Sequence, residues 1–140
     1  MSGLVVDASV IASAYFPDAQ TDAASLILNT ERDLHAPDLI YAELANVSWK
    51  RHRRGEATRE HTARMLADML LLPLQIVPIR ELAEGALQLA MDTGRSAYDC
   101  HYLFLAMQLN TSLITADRRL VNALAGGPFG RYVRWIGDHK

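Results

Sequence analysis

The chain has 140 residues, half of them hydrophobic, and its 14 Lys and Arg against 16 Asp and Glu leave a formal charge of -2. That is enough apolar mass for one core of ordinary size, and too little positive charge for a protein that is basic overall, although a local basic rim can still meet an anionic partner. The single Cys100 excludes an intramolecular disulfide framework and a Cys-based zinc site and points to a reducing, cytoplasmic setting, while no apolar run approaches the ~20 residues of a membrane span.

Met1 to Val6 lacks a basic leader, and its apolar run meets an acid at once, so it reads as a first strand rather than a signal peptide. Leu4-Val5-Val6 is continuous and rich in β-branched residues, as in a strand buried on both faces. Asp7 ends it. Ser9 to Phe16 reads as a helix that Pro17-Asp18 stops, and Thr21 to Thr30 carries Ala23, Ala24, Ile27 and Leu28 along one helical face. Leu34-His35-Ala36 forms a second strand before Pro37. Asp38 is the expected N-cap of a long helix through Leu39, Ile40, Leu44 and Val47. That helix runs out in Lys50-Arg51-His52-Arg53-Arg54, with Gly55 as its stop. Thr58 caps the next helix, which carries Met65, Leu66, Met69 and Leu70 and precedes Pro73.

Gln75-Ile76-Val77 is a third strand, ended by Pro78, and Glu81 to Asp92 is helical up to Gly94. A further helix runs from about Tyr98 to Leu109 before the breaker Asn110. Ser112 to Thr115 is a fourth strand, Asp117 to Leu124 a short helix, Gly126-Gly127-Pro128 a loop, and Tyr132 to Ile136 an edge strand. Strands alternating with helices imply an α/β class: an α/β/α sandwich with a central, mostly parallel sheet of four to five strands flanked by helices, in one domain over residues 1–140.

Sheets of this kind carry their sites at the carboxyl ends of the strands. Asp7 ends the first strand and Asp117 lies two residues past the fourth. Asp99 opens the helix that feeds the fourth strand, and Glu43 lies one turn into the helix after the second. All four are expected on one edge. Like charges so close cannot all stay ionised unaided, and a divalent cation removes the conflict. Hard oxygen donors without Cys or paired His select Mg2+ or Mn2+ over Zn2+, which suits phosphodiester hydrolysis. Ser9 and Thr115 flank two of the acids and could hold a water or a phosphate.

Other readings accompany these residues. Asp7, Asp99 and Asp117 each stand where a helix begins, where Asp is a favoured cap. Cys100-His101 is not a nucleophilic dyad, because consecutive helical residues point about 100° apart. His35, His52, His61 and His139 show no ligand spacing. The basic run, Arg53 and Arg54 included, suits either an RNA backbone or the helix dipole, whereas Arg118 and Arg119 lie nearer the acids and are the better phosphate contacts. No GxGxxG or GxxxxGK[ST] occurs. A small-molecule phosphohydrolase working through an aspartyl phosphate would want an acid where Ser9 stands.

Val5-Val6-Asp7-Ala8-Ser9, Tyr41-Ala42-Glu43-Leu44-Ala45-Asn46, Ser96-Ala97-Tyr98-Asp99 and Leu113-Ile114-Thr115-Ala116-Asp117-Arg118-Arg119-Leu120, in that order, resemble a PIN-domain protein. Specifically they resemble the VapC toxins of type II toxin–antitoxin pairs. The resemblance covers essentially the whole chain. It implies a PIN-like fold and a Mg2+- or Mn2+-dependent endoribonuclease acting on RNA such as tRNA or rRNA. Asp7, Glu43, Asp99 and Asp117 would be the metal-binding and catalytic acids, with Thr115 in support. It also implies a homodimer, and a VapB-like antitoxin whose C-terminal segment covers the site and through which alone DNA is met. Relatives often carry a further acid two residues beyond the last Asp. Here that position is Arg119, so one ion rather than two is expected. The alternative is a non-catalytic binding module that acts through its antitoxin complex.

Overall fold

The computed structural model describes residues 3–138; His139 lies outside them. Five strands and seven helices alternate among the described residues: β1 (Leu4–Val6), α1 (Ala8–Tyr15), α2 (Thr21–Leu28), β2 (Leu34–Pro37), α3 (Leu39–Arg53), α4 (Arg59–Met69), β3 (Gln75–Val77), α5 (Ala83–Thr93), α6 (Ala97–Gln108), β4 (Leu113–Thr115), α7 (Arg118–Leu124) and β5 (Val133–Trp135). The strands form one sheet in the order β3-β2-β1-β4-β5. Every pairing is parallel, so the sheet expected to be mostly parallel is wholly so. No helix among these residues is long and apolar enough to cross a membrane.

The chain builds outward from β1 in one direction through β2 and β3, then crosses back to lay β4 on its other side. That reversal leaves a crevice between the carboxyl ends of β1 and β4, the place where open α/β sheets bind ligands. Val5 pairs with Leu113 and Val6 with Ile114, which brings Asp7 and Thr115 to the rim together.

Leu4, Val5 and Val6 are almost fully buried, as a central parallel strand requires. Helix α6 contacts β1, β2 and β4, and α5 packs against it. Cys100, Tyr102, Leu103, Leu105 and Ala106 of α6 are all buried. Apolar residues therefore lie around most of the helix rather than along one stripe, the pattern of a helix enclosed by its neighbours. Each fully buried Leu among them stabilises the fold by about 2 kcal/mol, and together they fix the height of the first turn of α6.

Several ends follow the expected chemistry. Thr58 accepts from the His61 N–H, and Gly94 ends α5 at φ 73. Asp38 does not. It stands at the cap position of α3 without a capping hydrogen bond, and its Oδ1 accepts from Ile79 N at 2.9 Å instead. It ties the segment after β3 to the start of α3.

Candidate active site

Asp7 is held by both ends of the crevice. Its Oδ1 accepts from Ser9 N at 3.1 Å, Val10 N at 3.3 Å and Ser9 Oγ at 2.5 Å. Its Oδ2 accepts from Thr115 Oγ1 at 2.5 Å. The same hydroxyls close the circuit on the β4 side: Ala116 N donates to Ser9 Oγ at 2.9 Å and Asp117 N to Thr115 Oγ1 at 3.0 Å. Capping and site geometry thus coincide at Asp7. Asp117 also caps its helix, through Oδ1 alone, which accepts from Arg119 N and Leu120 N. At α6 the cap is Ser96, whose hydroxyl accepts from Asp99 N at 3.1 Å. The Asp99 carboxylate is left without a capping duty.

Asp7, Glu43, Asp99 and Asp117 line one cleft of about 320 Å³, with Ala8, Ser9, Asn46, Val47, Lys50 and Tyr102. The acids come from the end of β1, the first half of α3, the first turn of α6 and the segment after β4. Glu43 reaches the cleft with its Oε1 bonded by the Tyr102 hydroxyl. Glu43, Asn46, Val47 and Lys50 are spaced by three or four residues, so they form one face of α3 turned to the cleft.

The PIN domain matches residues 4–125 of the chain. This chain belongs to the PIN-domain family. Its relatives are of the VapC type: the ribonuclease VapC3 of Pyrobaculum aerophilum is 34% identical over 119 residues, which cover 84% of this chain and 91% of that protein. Among solved structures, PAE2754 from Pyrobaculum aerophilum superposes with a TM-score of 0.67 at 22% identity, over 97% of this chain and 85% of that one. A toxin–antitoxin complex from Klebsiella pneumoniae contains a chain that superposes with a TM-score of 0.63 at 16% identity, over 94% of this chain and 96% of that one. The two structures carry the fold alone.

The acids of this PIN cleft are in electrostatic conflict. Burial pushes the Asp7 carboxyl up to about 6, with Asp99 adding to the rise and the bonds from Ser9, Thr115 and Val10 opposing it. Burial also raises Glu43, against the pull of the Tyr102 hydroxyl and with help from the charges of Asp7 and Asp99. Asp99 is raised by burial and then by Asp117, while Ser96 and Arg95 hold it back. No Lys or Arg forms an ion pair with any of the four among the described residues. Nor do three acids, imidazoles or thiols among those residues form a ready-made metal cage. The donor set nonetheless fits a hard divalent cation: oxygen only, several carboxylates that resist joint ionisation, and room in the cleft for the waters such an ion keeps.

The remaining expected residues fall elsewhere. Thr115 is fully buried behind Asp7 and acts through it. The basic run does not form one patch. Arg51 pairs with Asp18 at 2.6 Å and Glu56 at 3.0 Å, Arg54 reaches Glu56 at 3.9 Å, and Arg53 stacks on Trp49 at 4.9 Å from the ring centroid. Arg53, Arg54, Arg118 and Arg119 do not line the cleft, whereas Lys50 does. Cys100 is buried and burial raises its thiol, which suits packing and not attack. Lys50 belongs to the basic run that suits an RNA backbone, but Asn46 and Tyr102 were not singled out from the sequence; for Asn46, the helical spacing from Glu43 was the available signal.

Proposed function

We propose that this PIN-domain protein is a Mg2+- or Mn2+-dependent endoribonuclease, the toxin of a VapBC-like pair. The observation that carries the reading is the convergence of four carboxylates, from four separate elements, on the cleft at the sheet's reversal point. Relatives of the VapC type named as ribonucleases support RNA as the substrate class. A toxin–antitoxin complex with this fold supports a cognate antitoxin, and the family resemblance supports its covering the cleft and a homodimer.

Asp7, Asp99, Asp117 and Glu43 would hold the cation. When bound, it supplies acidity to a water and neutralises charge gathering on the phosphate and the leaving oxygen. Ser9 and Thr115 fix the Asp7 carboxylate so that it cannot turn away from the cleft. Tyr102 does the same for Glu43 through Oε1. Glu43, its pKa raised by burial and its neighbours, is suited to accept a proton from the attacking water. The acids also repel an RNA strand, so binding must draw on cations, Lys50 in the cleft and others beside it.

The test is incubation of purified, antitoxin-free protein with tRNA and rRNA, first with Mg2+ and then with excess EDTA. Cleavage that EDTA abolishes is expected. Cleavage that survives EDTA rules out the metal-dependent mechanism. No cleavage of any RNA, with an antitoxin still bound when the acids are changed, establishes the binding-module alternative instead.

A further inference from the structure

On the β5 side of the cleft stands a cation held in a fixed pose that the reading above leaves without a defined task. The Arg118 guanidinium stacks on the Trp135 ring, its Cζ 3.7 Å from the ring centroid. Trp135 ends β5 and is the register partner of Thr115, the residue whose hydroxyl holds Asp7. Arg118 follows Asp117 directly in the chain. The pair therefore stands beside the acids, at the same edge of the sheet.

The indole has a built seat. A Cβ at Gly137 would come within 1.9 Å of Trp135 Cζ3, so the ring can lie where it does only because residue 137 has no side chain. Arg118 is exposed, and its guanidinium takes part in no hydrogen bond or ion pair among the described residues. Stacking occupies a face of the guanidinium and leaves its in-plane N–H donors free, in the fork that matches two oxygens of a phosphate. Lys50 lines the cleft among the acids and has no aromatic seat among the described residues, and the remaining cations named above are spent or placed differently. Arg51 and Arg54 are paired with acids, and Arg53 is stacked on Trp49 away from the cleft. Arg119 is exposed and has no aromatic seat among the described residues. An ordered guanidinium loses less freedom on gripping a phosphate than a free one does.

We propose that Arg118, held flat on Trp135, grips an RNA phosphate flanking the one that is cleaved, with Trp135 as its positioning residue. This rests on the ribonuclease reading. It names the contact that holds the strand against the repulsion of the acids, and it assigns Arg118 and Arg119 different roles.

The experiment is a titration of a fluorescent mixed-sequence RNA hairpin in EDTA, over a series of salt concentrations. Arg118→Ala should raise Kd about tenfold and lower the slope of log Kd against log salt by about one contact. Arg118→Lys keeps the charge but not the planar stack, so it should keep most of the slope and only part of the affinity. Trp135→Leu should weaken binding about threefold with the slope unchanged, because the charge stays while its order is lost, and Trp135→Phe should restore most of the affinity. Arg119→Ala should bind as wild type does. An Arg118→Ala protein with unchanged Kd and slope, or an Arg119→Ala protein with the same loss, overturns the assignment while leaving the ribonuclease reading in place. A wild-type protein that binds no RNA, in EDTA or with Ca2+ in its place, overturns both.

Discussion

Replacing Asp7 with Asn should abolish activity and, at neutral pH, make the metal-free protein more stable. Burial lifts the Asp7 carboxyl from the usual 3.8 to about 6. The folded protein therefore holds a proton there over a range in which the unfolded chain has released it. The stabilisation from that proton is fully present below about pH 4 and is lost as the pH rises through about 6; above that the fold carries a buried charge. At 1.36 kcal/mol per pH unit, the gap between 3.8 and about 6 amounts to about 3 kcal/mol. Asn keeps an oxygen for Ser9 and Val10 but turns an amino group toward Thr115 Oγ1, whose proton loses its acceptor. That costs about 1 kcal/mol. The residue also touches the cleft, whose water relieves part of the burial penalty, so the net gain at about pH 7.5 is about 1–2 kcal/mol. Near pH 4 only the lost hydrogen bond remains, and the variant should be less stable by about 1 kcal/mol. Urea denaturation of both proteins in EDTA at the two pH values measures this directly. A variant that is destabilised equally at both would refute the claim that Asp7 carries a charge at the fold's expense.

Tyr102→Phe removes the donor that holds the Glu43 carboxyl down. The acid limb of the rate profile should move to higher pH, lowering the rate on that limb; an unmoved limb in a pH–rate series would separate Glu43 from proton transfer. Thr115→Val removes both the donor to Asp7 and the acceptor for Asp117 N from a fully buried position. It should cost about 1–3 kcal/mol in urea denaturation, with most of that restored in Thr115→Ser. Arg51→Ala breaks the partly buried pairs with Asp18 and Glu56 and should lower stability by about 1–2 kcal/mol. Its RNA affinity should match the wild type in the hairpin titration, because the guanidinium serves the fold.

The four acids were legible because Asp7, Asp99 and Asp117 stand where elements of an alternating α/β chain begin or end and Glu43 lies one turn into α3, and those junctions share one edge of a parallel sheet. Strand order was not legible: nothing local to Leu113-Ile114-Thr115 says that it lies beside β1 rather than beyond β3. Tyr102 reads as core in an apolar stretch, and its ring is indeed buried; only the folded chain shows its hydroxyl reaching Glu43 from α6 to α3. Lys50 to Arg54 reads as one basic patch, yet helical geometry turns successive residues apart, and only Lys50 faces the cleft. Asp38 looked like a cap for α3 and instead bonds across to Ile79, a partner no local rule supplies. The seating of Arg118 on Trp135 joins α7 to the edge strand, a contact that exists only once the sheet is complete.

If the acids share one ion, they must lose it together. Calorimetric titration of Mn2+ into the wild type and into Asp7→Asn, Asp99→Asn and Asp117→Asn at about pH 7.5 tests this most directly, with RNA cleavage followed on the same samples. One ion per wild-type chain is expected, with affinity falling about tenfold or more in every variant and cleavage lost in step. Variants that bind Mn2+ as the wild type does, or that still cleave RNA without it, would contradict a shared metal site in this cleft.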